Sequence, residues 1–232
     1  MRIGSFTPGR SPWLALAVLA SAVVWSFFPA ASRATAVTCN LTTHCYGTVS
    51  STPTHTIEGV NAAINPSCLN TGGVSPAFVT DEIWLVNSDA THWVETGYIQ
   101  DNNANINGLG NGQQSFWGDD RPGHAFAAHG VASPTLPNEQ YLIQNDSNDD
   151  YIIFYAGNQI AHSTSNTMNP SYGLYGSETT TTASGNSGNW TGVQYYTNYT
   201  QWNDGVVNPL YHYEQPFAWT TFDTSFKAGN AC

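Results

Sequence analysis

Ile83-Trp84-Leu85-Val86-Asn87, a polar turn, then Trp93-Val94-Glu95-Thr96-Gly97-Tyr98-Ile99 reads as two successive strands. Side chains alternate along a strand, so Trp93, Glu95, Gly97 and Ile99 share one face, and Val94, Thr96 and Tyr98 share the other. Glu is depleted in strands, and burying it unpaired is costly. Glu95, set between a tryptophan and a bare glycine, therefore has a partner or lines a cleft. A second Glu lies in a comparable setting downstream, in Tyr172-Gly173-Leu174-Tyr175-Gly176-Ser177-Glu178-Thr179-Thr180. Two such carboxylates point to a site, unless each simply bonds locally and the two never meet.

Around these segments the apolar residues come in short bursts separated by Gly, Ser, Thr and Asn, with no helical stripe. That pattern predicts many short antiparallel strands, at 81–87, 92–100, 114–118, 124–131, 139–145, 150–157, 158–164, 171–181, 190–199 and 215–223. Gly157-Asn158 marks the tip of a hairpin. Strands in this number closing on one core make an all-β, antiparallel two-sheet sandwich of the jelly-roll kind, with little helix. The spacing of Val60, Ala63 and Ile64 predicts one short helix within 57–69. The expected division is a leader at 1–36, a disulfide-tied segment with that helix at 37–80, and the sandwich at 81–232.

The leader has the marks of an export signal. Arg2 and Arg10 precede the apolar run Trp13 to Phe28, and Ala34-Thr35-Ala36 matches a small-x-small cleavage pattern. The run is short for a membrane span of about 20 residues. A mature chain starting at Val37 keeps only Arg121 and Lys227 against 16 acidic residues, a net charge of −14. Such a surface repels nucleic acid and anionic membranes. Export also favours disulfides among the four cysteines Cys39, Cys45, Cys68 and Cys232. Three pairings are open. We favour Cys39 with Cys45 and Cys68 with Cys232, the second tying down the C-terminus.

Other groups offer chemistry or simple structure. Asp119, Asp120 and Arg121 form either a turn-fixing ion pair or the edge of a cleft walled by Trp117. His92, His124 and His129 lack metal-ligand spacing, although His129, beside Gly130, could line a pocket. Trp190, Tyr195, Tyr196, Tyr199 and Trp202 crowd one region, followed by Tyr211, Tyr213, Phe217 and Trp219. They suit a sheet core or a flat platform for carbohydrate.

The run Ile83-Trp84-Leu85 with Trp93-Val94-Glu95-Thr96-Gly97-Tyr98 resembles the strand that carries the first catalytic carboxylate of neprosin-type peptidases. The distantly similar eqolisins have Gln-Thr-Gly-Phe there, with Gln as the catalytic residue. Phe116-Trp117 resembles the aromatic strand that follows. Tyr175-Gly176-Ser177-Glu178 resembles a later Trp-Gly-Gly-Glu segment, with Tyr and Ser in place of Trp and the second Gly. The likeness spans roughly Asp81 to Thr200. It implies a secreted glutamic endopeptidase that cleaves polypeptides in acid, with Glu95 and Glu178 facing each other across a concave sheet. Neprosin prefers to cut after proline. Glu95 would act as general base and Glu178 as acid, or the reverse, and Trp93, Trp117, Tyr175 and His129 would contact substrate. No metal or organic cofactor is called for. The alternative is a non-catalytic sandwich that binds carbohydrate or cell wall.

Overall fold

The computed structural model describes residues 39–51, 56–106, 108–131, 138–146, 150–164, 167–197, 201–206, 210–214, 216–221 and 225–230. The expected export signal, its cleavage point and Cys232 lie outside these residues. The described chain is built from fifteen strands: β1 (Cys45–Ser50), β2 (Ile57–Asn70), β3 (Ala77–Asn87), β4 (Trp93–Asn102), β5 (Gly112–Asp120), β6 (Ala127–Gly130), β7 (Glu139–Asn145), β8 (Tyr151–Tyr155), β9 (Asn158–Ser163), β10 (Pro170–Thr179), β11 (Gly185–Thr197), β12 (Gln201–Asp204), β13 (Leu210–Tyr213), β14 (Ala218–Thr221) and β15 (Ser225–Asn230). They form a seven-stranded sheet in the order β13-β1-β10-β3-β4-β5-β6. An eight-stranded sheet runs β14-β15-β11-β2-β7-β8-β9, with β12 paired to β11. All pairings are antiparallel, and the expected two-sheet sandwich is what the chain adopts.

The main core lies between the sheets. Ile83, Leu85, Val94 and Tyr175 of the first sheet meet Val60, Ile64, Tyr141, Ile143, Ile153 and Trp190 of the second. Polar bonds stitch the layers together where side chains could not otherwise be satisfied. The indole of Trp190 donates to the Glu82 carbonyl at 3.2 Å, and Tyr175 Oη donates to the Gln194 carbonyl at 2.8 Å. Asn186 Nδ2 donates to Asp81 Oδ1 at 2.6 Å and to Ser177 Oγ at 2.8 Å, and Ser177 Oγ donates to the same Asp81 oxygen at 2.6 Å.

The short helix expected within 57–69 is strand β2, paired on one side with β11 and on the other with β7. A central strand is covered on both faces, so its burial runs almost unbroken and hides the two-residue alternation. Val60, Ala62 and Ile64 enter the core. On the opposite face Asn61 accepts from Gln140 at 3.1 Å and donates to Gln194 at 2.9 Å, an amide ladder across three strands. The expected boundary at residue 81 consequently falls inside β3, and the segment before it contributes strands to both sheets.

Cys39 and Cys45 are disulfide-bonded, and Cys68 also carries a disulfide. The expected Cys68–Cys232 pairing involves a residue outside those described. Arg121 Nε lies 3.2 Å from Asp119 Oδ2, and that carboxylate also accepts from Ser163 Oγ at 2.6 Å. The turn-fixing role of this ion pair holds.

Trp190 is fully buried and spans the two layers. Its replacement by alanine should cost roughly 3–5 kcal/mol, as large-to-small core changes do. Urea unfolding should show a lower midpoint with an unchanged slope.

Candidate active site

On β3 the alternation places Thr80, Glu82, Trp84 and Val86 on the outer face of the seven-stranded sheet, and Val79, Asp81, Ile83 and Leu85 toward the core. The β3–β4 register sets Trp84 opposite Glu95 and Glu82 opposite Gly97. On the other side, β10 sets Gly176 opposite Glu82, and β1 sets Tyr46 opposite Glu178. Three carboxyl groups therefore share one face on three adjacent strands, and they line a single cleft of about 830 Å³. Glycine at position 97 leaves room beside Glu82, and glycine at 176 lets β10 approach the β1 backbone, where a Cβ would lie 2.0 Å from the Gly47 carbonyl oxygen. A Cβ on Gly97 would lie 2.4 Å from the Glu82 Cβ.

Glu95 is 6% exposed. Both of its hydrogen bonds fall on one oxygen: Oε2 accepts from Trp84 Nε1 at 3.1 Å and from Trp93 Nε1 at 2.7 Å. Trp93 in turn stacks on Phe126, with ring centroids 5.9 Å apart. Gly118, opposite Glu95 on β5, supplies clearance, since a Cβ there would come within 3.0 Å of Oε1. Burial first, and then the charge of Glu178, push the Glu95 carboxyl up to about 8 against the pull of the two indoles.

Glu178 has different surroundings. Its Oε1 meets His44 Nδ1, and its backbone N–H donates to Thr80 Oγ1 at 3.1 Å. Tyr46, directly opposite on β1, lines the same cleft beside this carboxylate. Burial and the charges of Glu178, Glu95 and Glu82 hold the Tyr46 phenol far above its usual range, so it remains a neutral donor. Burial lowers the His44 pKa, but the bond to Glu178 and its charge raise it more, and the ring sits above the ordinary histidine value.

Glu82 is almost fully enclosed. The Thr80 hydroxyl donates to its Oε1, whereas Oε2 has no hydrogen-bond partner among the described residues. Burial, followed by the charges of Glu95 and Glu178, raises its pKa well above the carboxylate range. A neutral carboxyl here costs far less than an anion would. The rest of the lining is largely apolar. Phe78, Ile99 and Phe116, with Ile106 and Leu109 against them, form one wall.

Of the residues expected to contact substrate, Trp93 lines the cleft. Tyr175 does not. It is three residues from Glu178, hence on the opposite face of β10, and lies wholly in the core. Trp117 pairs with Thr96, whose parity differs from that of Glu95, and its ring packs against the core side. His129 stacks on Trp117 at 4.5 Å, outside the cleft lining. The aromatic-rich region divides between core and surface over its described part, with Tyr211 exposed. Trp190 is in the core, Tyr195 packs against it, and Tyr196 faces Trp202 across the β11–β12 pair. Sequence reading passed over Glu82, Trp84, His44 and Tyr46. The first two were within reach of simple alternation from Glu95 and its neighbours. The others required knowing that β1 pairs with β10.

No protein-family model and no curated protein sequence matches this chain. Solved structures do. Scytalido-glutamic peptidase with a transition-state analog inhibitor aligns at a TM-score of 0.58 and 9% identity, covering 80% of this chain and 97% of the other. The same peptidase with a peptide-based transition-state analog aligns at 0.54 and 8%, over 80% and 97%. SCP-B, a member of the eqolisin family in complex with the tripeptide Ala-Ile-His, aligns at 0.51 and 8%, over 82% and 98%. At such identity the likeness is one of architecture: this chain has the fold of the eqolisin glutamic peptidases.

Proposed function

We propose that this protein is a secreted endopeptidase that hydrolyses peptide bonds in acid, with Glu178 as general base and Glu95 as the neutral acid opposite it. The observation that carries the reading is the contrast between two carboxyls on one cleft face. The Glu178 side chain meets the His44 ring, whose Nδ1–H as donor suits an anion. Glu95 is held near neutral pH in its protonated form. A carboxyl that burial holds protonated can serve as the acid of such a pair.

The geometry also assigns the proton within Glu95. Because both indoles donate to Oε2, that oxygen acts as the acceptor and the acidic hydrogen resides on Oε1. In the reaction Glu178 takes a proton from water, and the water oxygen bonds to the scissile carbonyl carbon. Oε1–H of Glu95 donates to the carbonyl oxygen as negative charge develops there. As the tetrahedral species collapses, the C–N bond breaks and Glu178 returns its proton to the leaving nitrogen. A carboxylic acid with this orientation and a carboxamide present the same pattern, one acceptor toward the tryptophans and one N–H or O–H toward substrate. The fold neighbours, the export-like leader and the low charge of the cleft walls support the reading.

The glutamine variants separate the two roles. With denatured casein or a quenched peptide from about pH 3 to 7, Glu178→Gln should lose at least ~10³-fold in kcat/KM. Glu95→Ala should lose ~10²–10³-fold. Glu95→Gln should stay within roughly tenfold of wild type, because the amide still donates, and should keep its rate at alkaline pH where wild type declines as Glu95 ionises. If Glu95→Gln proves as inactive as Glu178→Gln, the assignment of roles fails. A wild-type protein that cleaves neither substrate removes the peptidase reading.

Stability should follow pH in the same sense. The native state keeps a proton on Glu95, and on Asp81, up to about 8, whereas in the unfolded chain these groups release it near 4.5 and 3.8. Between those limits the native state binds more protons, so stability falls as pH rises. Calorimetric Tm should decline from pH 4.5 to 8, and Glu95→Gln should flatten the slope. A Tm that climbs across this window would contradict the protonation states.

A further inference from the structure

We propose that β1 and the disulfide loop before it act as a clamp on Glu178, with His44 and Tyr46 as positioning residues that fix the direction of the carboxylate. The inference rests on Glu178 being the base. Along β1 the cleft face carries Tyr46 and Thr48, continuing from His44 just before the strand, and Cys45 between them points inward. His44 bonds the Glu178 carboxylate, and the register sets Tyr46 directly opposite Glu178 on the same cleft face.

The loop that carries His44 has a framework of its own. The Cys39–Cys45 bond closes it, with the two Cα atoms 5.4 Å apart. Asn40 and Thr43 exchange two backbone hydrogen bonds across it at 2.8 and 3.0 Å. Asn40 Oδ1 accepts from both the backbone and the hydroxyl of Thr42, at 2.9 and 2.7 Å. Both half-cystines pack with Phe217, and the His44 ring sets its edge on Phe78 at 5.3 Å. His44 is thus held by its cross-linked loop and by Phe78 before it touches Glu178. Tyr46 is anchored in turn, since its backbone N–H donates to Glu214 Oε2 at 2.9 Å and its carbonyl accepts from the Glu214 N–H at 2.9 Å.

Such an arrangement matters because a carboxylate on a flexible glutamate stem sweeps out many directions, and only some aim a lone pair at the attacking water. Misplacement by about 1 Å can cost ~10²-fold in rate. Two donors fixed to a cross-linked loop and to a paired strand remove that freedom before substrate arrives. The other ionisable groups lining the cleft are Glu82, Glu95 and His212, the last paired with Glu214 at 3.6 Å.

The test compares His44→Ala, His44→Gln, Tyr46→Phe and the double variant Cys39→Ser/Cys45→Ser with wild type. Readouts are kcat and KM on one quenched peptide, thermal melts, and the His44 ring followed by NMR. His44→Ala and Tyr46→Phe should each lower kcat ~10–100-fold with KM within about twofold and the melt little changed. His44→Gln, which keeps a donor, should recover most of the loss. The loop variant should lower kcat in the same manner. The His44 ring should titrate above the ordinary histidine range and fall toward it in Glu178→Gln. Unchanged kcat in both His44→Ala and Tyr46→Phe would overturn the clamp. So would a His44 titration indifferent to Glu178→Gln, and that result can be read even if wild type cleaves nothing, an outcome that would overturn the peptidase reading alone.

Discussion

Trp84 stands opposite Glu95 and Glu82 opposite Gly97, and a slip of one residue in that pairing would turn every side chain of β3 to the other face. Asp81, Ile83 and Leu85 would then point into the cleft, and Glu82 and Trp84 into the hydrocarbon core. The register is what brings three acids and two indoles to one surface. It is also what lets the chain bury them, because each acid arrives beside its own donors: Trp84 and Trp93 for Glu95, Thr80 for Glu82, His44 for Glu178.

The opposite face of the same strands holds this register in place. Asp81, Ser177 and Asn186 form a closed polar knot between the sheets, at positions adjacent in sequence to Glu82 and Glu178. Burial pushes the Asp81 carboxyl up to about 8, so this acid too is neutral in the acid range. Trp190 closes over the Glu82 carbonyl from the second sheet. The core side is thus a positioning layer for the cleft side. A shift of β3 along β10 would break the knot and the cluster of cleft carboxyls together.

Much of the architecture was legible because antiparallel strands with one face exposed announce themselves by alternation. The segments around Tyr141 and Tyr151 alternate in burial and read correctly as strands for that reason. Those around Ile83 and Glu95, buried on both faces, read as strands from their short runs of tryptophan and branched residues between turns. β2 did not, because a strand covered on both faces shows no alternation, and its small apolar residues also fit a helix. Within the site, Glu95 and Glu178 stood out as charges in apolar, glycine-containing runs, and both do line one cleft. Tyr175 and Trp117 were misplaced by nearness in sequence: both sit an odd number of positions, in register, from the acids they were meant to flank. His44 and Tyr46 depend on a pairing between residues 134 positions apart in the case of His44 and Glu178. No local pattern encodes a contact of that range.

The account depends most heavily on Glu95 being an uncharged acid beside an ionised Glu178. Infrared difference spectroscopy of wild type against Glu95→Gln, at a pH of about 6, reads that state directly, since a protonated carboxyl and a carboxylate absorb in separate regions. The account predicts that the substitution removes one protonated-carboxyl band and leaves the carboxylate region unchanged. Loss of carboxylate absorption, with every protonated band retained, would contradict it.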